Sequence, residues 1–335
     1  MLASTSPSPA STAAPMTPVS GLGELVRSGK YQGLLLDQFG VLHDGRTPYP
    51  GAAEAVAAAA DAGLQLLLIS NSSRRAGGTL DKLEKMGFRR SAFAGVVTSG
   101  EMAHSCVTQR PDAWWQGLGR RVVHFNWSSR GPIDLQGWGL EVVSDPSAAD
   151  FFLAHGTEGL TEPGPGRGGV REVPLEAMKE LLVGAAEAAR RQGRPGGPPP
   201  LVVANPDVVT VDGDDLVPMP GALAAAYAGA GGRVVLMGKP APLIYGEAGR
   251  LLGLEPGRLL AVGDSMEHDI AGAASAGMDS LFIAAGIHAR EVLPEGAGAQ
   301  GPAAQAVDAA ALRRLAAHHV PGGGGPTWVT TRFVW

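Results

Sequence analysis

The chain has one cysteine, Cys106, among 335 residues, which excludes an internal disulfide framework and any cysteine-rich zinc or iron–sulfur centre. Positive charge is also scarce: 27 Lys and Arg against 32 Asp and Glu give a net charge of −5. Without a basic field, no nucleic-acid partner is expected. No apolar run approaches the roughly 20 residues of a membrane span, so no membrane partner is expected either. Lys and Arg are missing altogether from Met1 to Val26, where Ser, Thr, Pro and Ala dominate. A secretory signal needs a basic start and a long apolar stretch, and an organellar transit peptide is Arg-rich. Neither pattern is met. Residues 1–28 are therefore expected to be a disordered tail on a cytoplasmic protein, with organellar targeting by that tail left open.

What is present is an alternation of short apolar runs and helical stretches. The 49 glycines and 26 prolines are spread between those runs, as in a globular chain with elaborate loops. Leu34–Leu36 ends at Asp37, Leu64–Ile69 at Ser70 and Asn71, Arg233–Met237 at Gly238 and Lys239, and Leu259–Val262 at Gly263 and Asp264. Continuous apolar strands separated by helices predict a buried parallel sheet, and in such sheets ligands bind outside the carboxyl ends of the strands. Asp37 to Ser70 is a step of 33 residues and Lys239 to Asp264 one of 25, each the length of one strand–helix–strand unit. Ser70 to Lys239 is 169 residues, far too long for a single crossover. The spacing predicts an α/β core over 29–103 and 219–335, Rossmann-like in its parallel sheet, with a separate α/β module inserted over 104–218.

Clustered at strand ends, these residue types suit phosphoryl chemistry. Two or three carboxylates such as Asp37, Asp264 and Asp269 hold a hard cation such as Mg2+ through oxygen. The Ser70 hydroxyl and Lys239 suit the remaining oxygens of a transferring phosphoryl group. An Asp nucleophile splits that transfer into two easier steps.

Four segments occur in a fixed order: Leu34-Leu-Leu-Asp-Gln-Phe-Gly-Val41, Leu68-Ile-Ser-Asn71, Met237-Gly-Lys-Pro240 and Val262-Gly-Asp-Ser-Met-Glu-His-Asp269. Together they resemble the four motifs of the haloacid dehalogenase-like (HAD) hydrolases. The insertion between the second and third, closing on Ala204-Asn-Pro-Asp207, is similar to that of subclass IIA, which contains nucleotide, pyridoxal phosphate and phosphoglycolate phosphatases. The run Asp37 to Gly45 resembles a branch with the pattern Asp-x-(Trp/Phe)-Gly-Val-Leu-His-Asp-Gly. The resemblance implies a HAD-type core with an inserted cap, acting on a small phosphorylated metabolite; it implies nothing about oligomeric state. It makes Asp37 the nucleophile and a metal ligand. Ser70 binds a phosphoryl oxygen, and Lys239 neutralises the nucleophile and the phosphoryl group. Asp264 ligates Mg2+ with support from Asp269, and the backbone carbonyl of Phe39 reaches the metal. Asn71, Asn205 and Asp207 fall on the substrate side.

One position departs from the family pattern. Phosphatases of this type carry Asp two residues after the nucleophile, as the acid for the leaving group and the base for water. Here that position is Phe39. Losing such help costs about 100- to 10,000-fold in rate. His43 and Asp44 are the nearest substitutes, with a turn role as the simpler reading. A weakly catalytic phospho-ligand binding protein, and a C–P or C–halogen hydrolase, therefore stay open beside the phosphatase.

Other signals carry less. Gly296-x-Gly298-x-x-Gly301 and Gly164-x-Gly166-x-x-Gly169 match a dinucleotide-binding fingerprint, but neither follows an apolar strand. Trp114, Trp115, Trp127 and Trp138 gather in the insert, where packing is the expected role.

Overall fold

The computed structural model describes residues 16–164, 168–212, 215–295, 307–320, 322 and 324–335. The first of the two glycine fingerprints lies outside these residues, and the second lies partly outside them.

In chain order the strands are β1 (Thr17–Pro18), β2 (Gly33–Leu36), β3 (Gln65–Ser70), β4 (Phe93–Thr98), β5 (Arg121–Asn126), β6 (Glu141–Val142), β7 (Phe151–Ala154) and β8 (Gly159–Thr161). They continue with β9 (Val170–Glu172), β10 (Leu201–Val203), β11 (Val209–Asp212), β12 (Asp215–Pro218), β13 (Val234–Leu236), β14 (Leu259–Gly263), β15 (Asp279–Ile283) and β16 (Trp328–Thr330). One sheet runs β1-β16-β15-β14-β2-β3-β4, and a second runs β13-β10-β7-β5-β8-β9 with β6 on β5. The chain divides into two compact units: one runs through Ile69, takes in Gly78–Val96 and resumes at Tyr245, and the other is Ser70–Gly77 with Val97–Ile244.

In the first unit, Leu36 pairs with Leu68 on one side and Val262 on the other, all in parallel register. Leu34, Leu36, Leu66, Leu68, Leu260 and Val262 pack on one face of the sheet. Phe282, Ala284 and Val329 pack in a separate cluster with Leu312 and Leu315. Burial on both faces is why these strands read as unbroken apolar runs.

The N-terminal segment differs from the expected tail. Thr17 pairs with Trp328, and Val19 N–H donates to the Val329 carbonyl at 2.8 Å. The short helix Leu22–Val26 buries Leu22 and Leu25. Val19, Leu22 and Leu25 recur at three-residue spacing and supply the one apolar face this segment has. Residues 1–15 lie outside the described residues.

In the second unit, the helix Leu175–Arg191 turns Met178, Leu182 and Ala186 toward Phe152, Leu201 and Val203, the four-residue spacing of a single helical face. This unit is wider than 104–218. The run expected as a strand of the main sheet, Arg233–Met237, forms β13, which pairs in parallel with β10 of the second sheet. The helix Gly221–Gly229 makes the crossover and buries Leu223 and Tyr227 in that unit's core. Lys239 therefore follows the edge strand of the second sheet. Among the described residues, no helix is long and apolar enough to cross a membrane.

Candidate active site

The carboxylates of the first unit are set by strand ends. Asp37 N–H donates to the Val262 carbonyl at 2.9 Å, continuing the β2–β14 pairing one residue past the strand. The chain then turns tightly: Leu42 N–H bonds to the Gln38 carbonyl at 2.8 Å, and Gly40 N–H to the His43 carbonyl at 3.2 Å. Gly40 has φ +76°, and a Cβ there would sit 1.8 Å from Asp264 Oδ2. Only glycine meets both demands.

Asp264 directly follows β14. Its Oδ2 accepts from Ile287 N–H at 2.8 Å, and a Cβ at Gly286 would come within 2.2 Å of it. Asp269 lies in a wide helical turn, Met266–Ile270, with Oδ2 accepting from Ser265 N–H at 3.0 Å. Gly263 leaves room for its carboxyl, which a Cβ would approach to 2.0 Å. Ligand oxygens of Asp37, Asp264 and Asp269 all lie within 4.8 Å of one another, and the last two side chains are buried. Three carboxylates converging where two are out of water is costly unless a cation joins them. The all-oxygen donor set, lined by glycines, fits a hard divalent ion.

Phe39 is 55 % exposed. Its ring meets His43 edge-on at 4.9 Å, and Lys82 Nζ stands 5.5 Å from its centroid. His43 is fully buried, and its Nδ1 accepts from Gly45 N–H at 2.9 Å. Burial, followed by the Lys82 charge, pushes His43 down to about 4. Asp44 is exposed, and its carboxylate accepts from the Arg46 and Thr47 N–H groups, which hold it below its ordinary value. The turn thus engages His43 Nδ1 and the Asp44 carboxylate, while His43 Nε2 is buried with no hydrogen-bond partner among the described residues.

The remaining residues singled out in the sequence belong to the second unit. Ser70 ends β3, and its Oγ accepts from Ser72 N–H at 3.3 Å. Asn71 is buried and ties three segments together: Nδ2 donates to Asp207 Oδ1 at 2.7 Å and to the Lys239 carbonyl at 3.2 Å, while Oδ1 accepts from Lys239 N–H at 2.8 Å. Lys239 is itself buried. Asn205 Oδ1 accepts from Asp207 N–H at 2.8 Å. Asn71 and Asn205 therefore spend their amides on backbone and on Asp207. A Cβ at Gly238 would strike Ser99 Oγ at 1.9 Å and Asn71 Oδ1 at 2.5 Å. Ser99 carried no signal in the sequence, whereas Gly238 stood inside Met237-Gly-Lys-Pro240.

The four tryptophans do not form one cluster. Trp114 and Trp115 meet each other, Trp127 donates to Ser73 Oγ at 3.1 Å, and Trp138 packs on His104 and His155.

Comparison with known proteins places the chain among relatives. A family model described as haloacid dehalogenase-like hydrolase matches residues 34–127, and a HAD-hydrolase-like model matches residues 236–311. Chronophin from Bos taurus is 30 % identical over 273 residues, covering 78 % of this chain and 84 % of that one. The 5'-nucleotidase YutF from Bacillus subtilis is 26 % identical over 263 residues, covering 78 % and 90 %. A crystal structure of a haloacid dehalogenase-like hydrolase from Brucella suis 1330 superposes with a TM-score of 0.63 at 27 % identity, covering 94 % of this chain and 99 % of that one.

Proposed function

Because the chain belongs to the haloacid dehalogenase-like hydrolases, we propose that it is a phosphatase of a small phosphorylated metabolite, with Asp37 as nucleophile. The observation that carries this reading is the meeting of Asp37, Asp264 and Asp269 within 4.8 Å. In the first step an Asp37 oxygen bonds to phosphorus as the bond from phosphorus to the leaving oxygen breaks, and the leaving oxygen takes up a proton from solvent water. In the second step, water bonds to the phosphorus of the aspartyl phosphate, loses a proton and returns Asp37 with free phosphate.

Asp37, Asp264 and Asp269 are the residues that would hold the cation, Mg2+ in this reading, which supplies positive charge to the phosphoryl oxygens. The Phe39 carbonyl is a further ligand in this reading. Ser70 Oγ donates to a phosphoryl oxygen, and the Lys239 ammonium offsets charge on the nucleophile and the phosphoryl group. Asn71 holds Lys239 by both backbone polar groups; with Asn205 and Asp207, it is a positioning residue toward the substrate side.

A second reading rests on Phe39. Neither the Phe39 ring, the buried His43 nor the turn-bound Asp44 serves as an acid for the leaving group. A protein that binds its phospho-ligand well and turns it over slowly fits that loop.

The deciding measurement is phosphate release with Mg2+ from a panel of alkyl phosphate metabolites and from nitrophenyl phosphate, with Asp37→Asn as the blank. The phosphatase reading expects release from at least one metabolite that the blank lacks. Tight, saturable binding of a metabolite with release no faster than the blank selects the second reading, and neither binding nor release overturns both.

A further inference from the structure

Four large apolar side chains stand exposed in the first unit among the described residues: Phe39, Leu251, Ile287 and Trp335. Two of them are tied to the carboxylate cluster by their own backbone. Phe39 is two residues past Asp37, and Ile287, 72 % exposed, gives its N–H to Asp264 Oδ2. Both therefore stand by the carboxyl ends of β2 and β14, where an open parallel sheet takes its ligand. Apolar groups exposed beside such carboxylates mark a place for the apolar part of a ligand.

The Phe39 ring is a fixed platform. It lies against Gly45, where a Cβ would come within 2.8 Å of its Cε1, and His43 meets it edge-on at 4.9 Å. Lys82, on the helix Thr79–Lys85, brings Nζ to 5.5 Å from the ring centroid. Lys82 is exposed and has no hydrogen bond or ion pair among the described residues. An aromatic surface and a mobile cation thus stand together where a phosphatase of this family would present its acid.

The chemistry of departure selects what this pair serves. In the loose transition state of phosphoryl transfer the bond to the leaving oxygen is largely broken, and that oxygen carries much of the negative charge. An alkyl oxygen needs a proton to leave. A phenolic oxygen does not, since a phenol ionises about as readily as a tyrosine side chain, near pH 10. Its ring also gives the exposed Phe39 a face to pack against. A cation beside the departing oxygen offsets its charge without giving up a proton.

We propose that the substrate is a phosphate monoester of a phenol, its ring packed on Phe39 and its departing oxygen met by the Lys82 ammonium. This rests on the phosphatase reading and narrows it. An Asp37 oxygen bonds to phosphorus as the bond from phosphorus to the phenolic oxygen breaks. The electron pair leaves with that oxygen as phenolate, which takes a proton from water after departure. Phe39 and Lys82 are then the residues that set which ester reacts.

Phenyl phosphate and benzyl phosphate carry the same ring and differ in the acidity of the leaving oxygen, a difference that a general acid flattens. Release of phosphate from Asp37 is common to both. The measurement is therefore the first turnover, with protein in excess and Mg2+ present, read as phenol or benzyl alcohol freed. Phenyl phosphate is expected to react at least about 100-fold faster than benzyl phosphate. Lys82→Met should slow phenyl phosphate about tenfold and nitrophenyl phosphate less, with Lys82→Arg restoring most of the loss. Phe39→Leu should raise the half-saturating concentration for phenyl phosphate about threefold to tenfold. Benzyl phosphate reacting within about tenfold of phenyl phosphate overturns the proposal and leaves the phosphatase reading intact, because an acid then serves the leaving group. A phenyl phosphate rate unmoved by Lys82→Met overturns the role of Lys82, and unchanged saturation in Phe39→Leu overturns packing on the ring. No phenol above the Asp37→Asn blank, while alkyl metabolites do release phosphate, overturns the proposal alone. No release from any ester overturns the phosphatase reading with it.

Discussion

In the phosphatase reading Phe39 stands where the leaving group needs a proton, and its surroundings decide what restoring an acid there achieves. Phe39→Asp is expected to raise kcat/KM for an alkyl phosphomonoester by about 100-fold, or about 2.7 kcal/mol of barrier. Nitrophenyl phosphate should gain less, because its leaving group hardly needs a proton. Lys82 complicates this: its ammonium lies 5.5 Å from the Phe39 ring centroid and would hold a new carboxyl ionised. Adding Lys82→Met should therefore increase the gain on the alkyl ester. A native protein that already hydrolyses alkyl esters rapidly and is slowed by Phe39→Asp would refute the assignment. Gly40 tests the metal site at the same scale. A Cβ 1.8 Å from Asp264 Oδ2, at a φ of +76°, must displace that carboxylate. Gly40→Ala and Asp264→Asn should each weaken Mg2+ binding about 10- to 100-fold in calorimetry while far-UV circular dichroism stays unchanged. Equal affinity in Asp264→Asn would remove Asp264 from the ligands.

Among the elements, β1 and the helix Leu22–Val26 carry more than their length suggests. Leu22 is 1 % exposed, and its N–H donates to the Val334 carbonyl at 2.8 Å, so the two ends of the chain close one edge of the first unit. Leu22→Ala is expected to cost about 2–5 kcal/mol in urea denaturation; a loss under about 0.5 kcal/mol would mean that the segment is not docked. This element was hidden in the sequence because a two-residue strand containing Pro18 has no periodicity to read. The central strands were legible for the opposite reason: Leu34–Leu36, Leu66–Ile69 and Leu259–Val262 are buried on both sides and so cannot be polar. Asp37, Asp264 and Asp269 were legible because they sit at or just beyond such ends. Spacing could place β13 after a long insertion but could not say which sheet it joins, since that depends on pairing with Leu201–Val203. His124 and His155 are 31 residues apart, and only the register of β5 on β7 makes them neighbours.

Across the whole molecule, both units hide neutral histidines, and this sets how the protein meets acid. His43 lies in the first unit with its pKa pushed down to about 4; in the second unit His155 is pushed to about 3 and His124 well below its ordinary 6.5. Desolvation is the first cause for all three. The sign follows from linkage. The folded state keeps these rings neutral, whereas the unfolded chain binds protons near 6.5. Their contribution is fully present above pH 6.5 and is lost as pH falls toward the folded values, at up to roughly 1.4 kcal/mol per pH unit for each ring. The carboxylates held below their ordinary values, among them Glu101, Asp150 and Asp279, withdraw stability only nearer pH 4, so the window from pH 6.5 to 5 isolates the histidines. Urea denaturation should therefore give constant stability from pH 8 to 7 and a steep decline from 6.5 to 5. His43→Gln should lower stability at pH 7.5 and flatten that decline for the first unit alone. Stability that stays level down to pH 5 would show that these rings take up protons in the folded protein as readily as in the unfolded chain, and their burial as neutral imidazoles would then not stand.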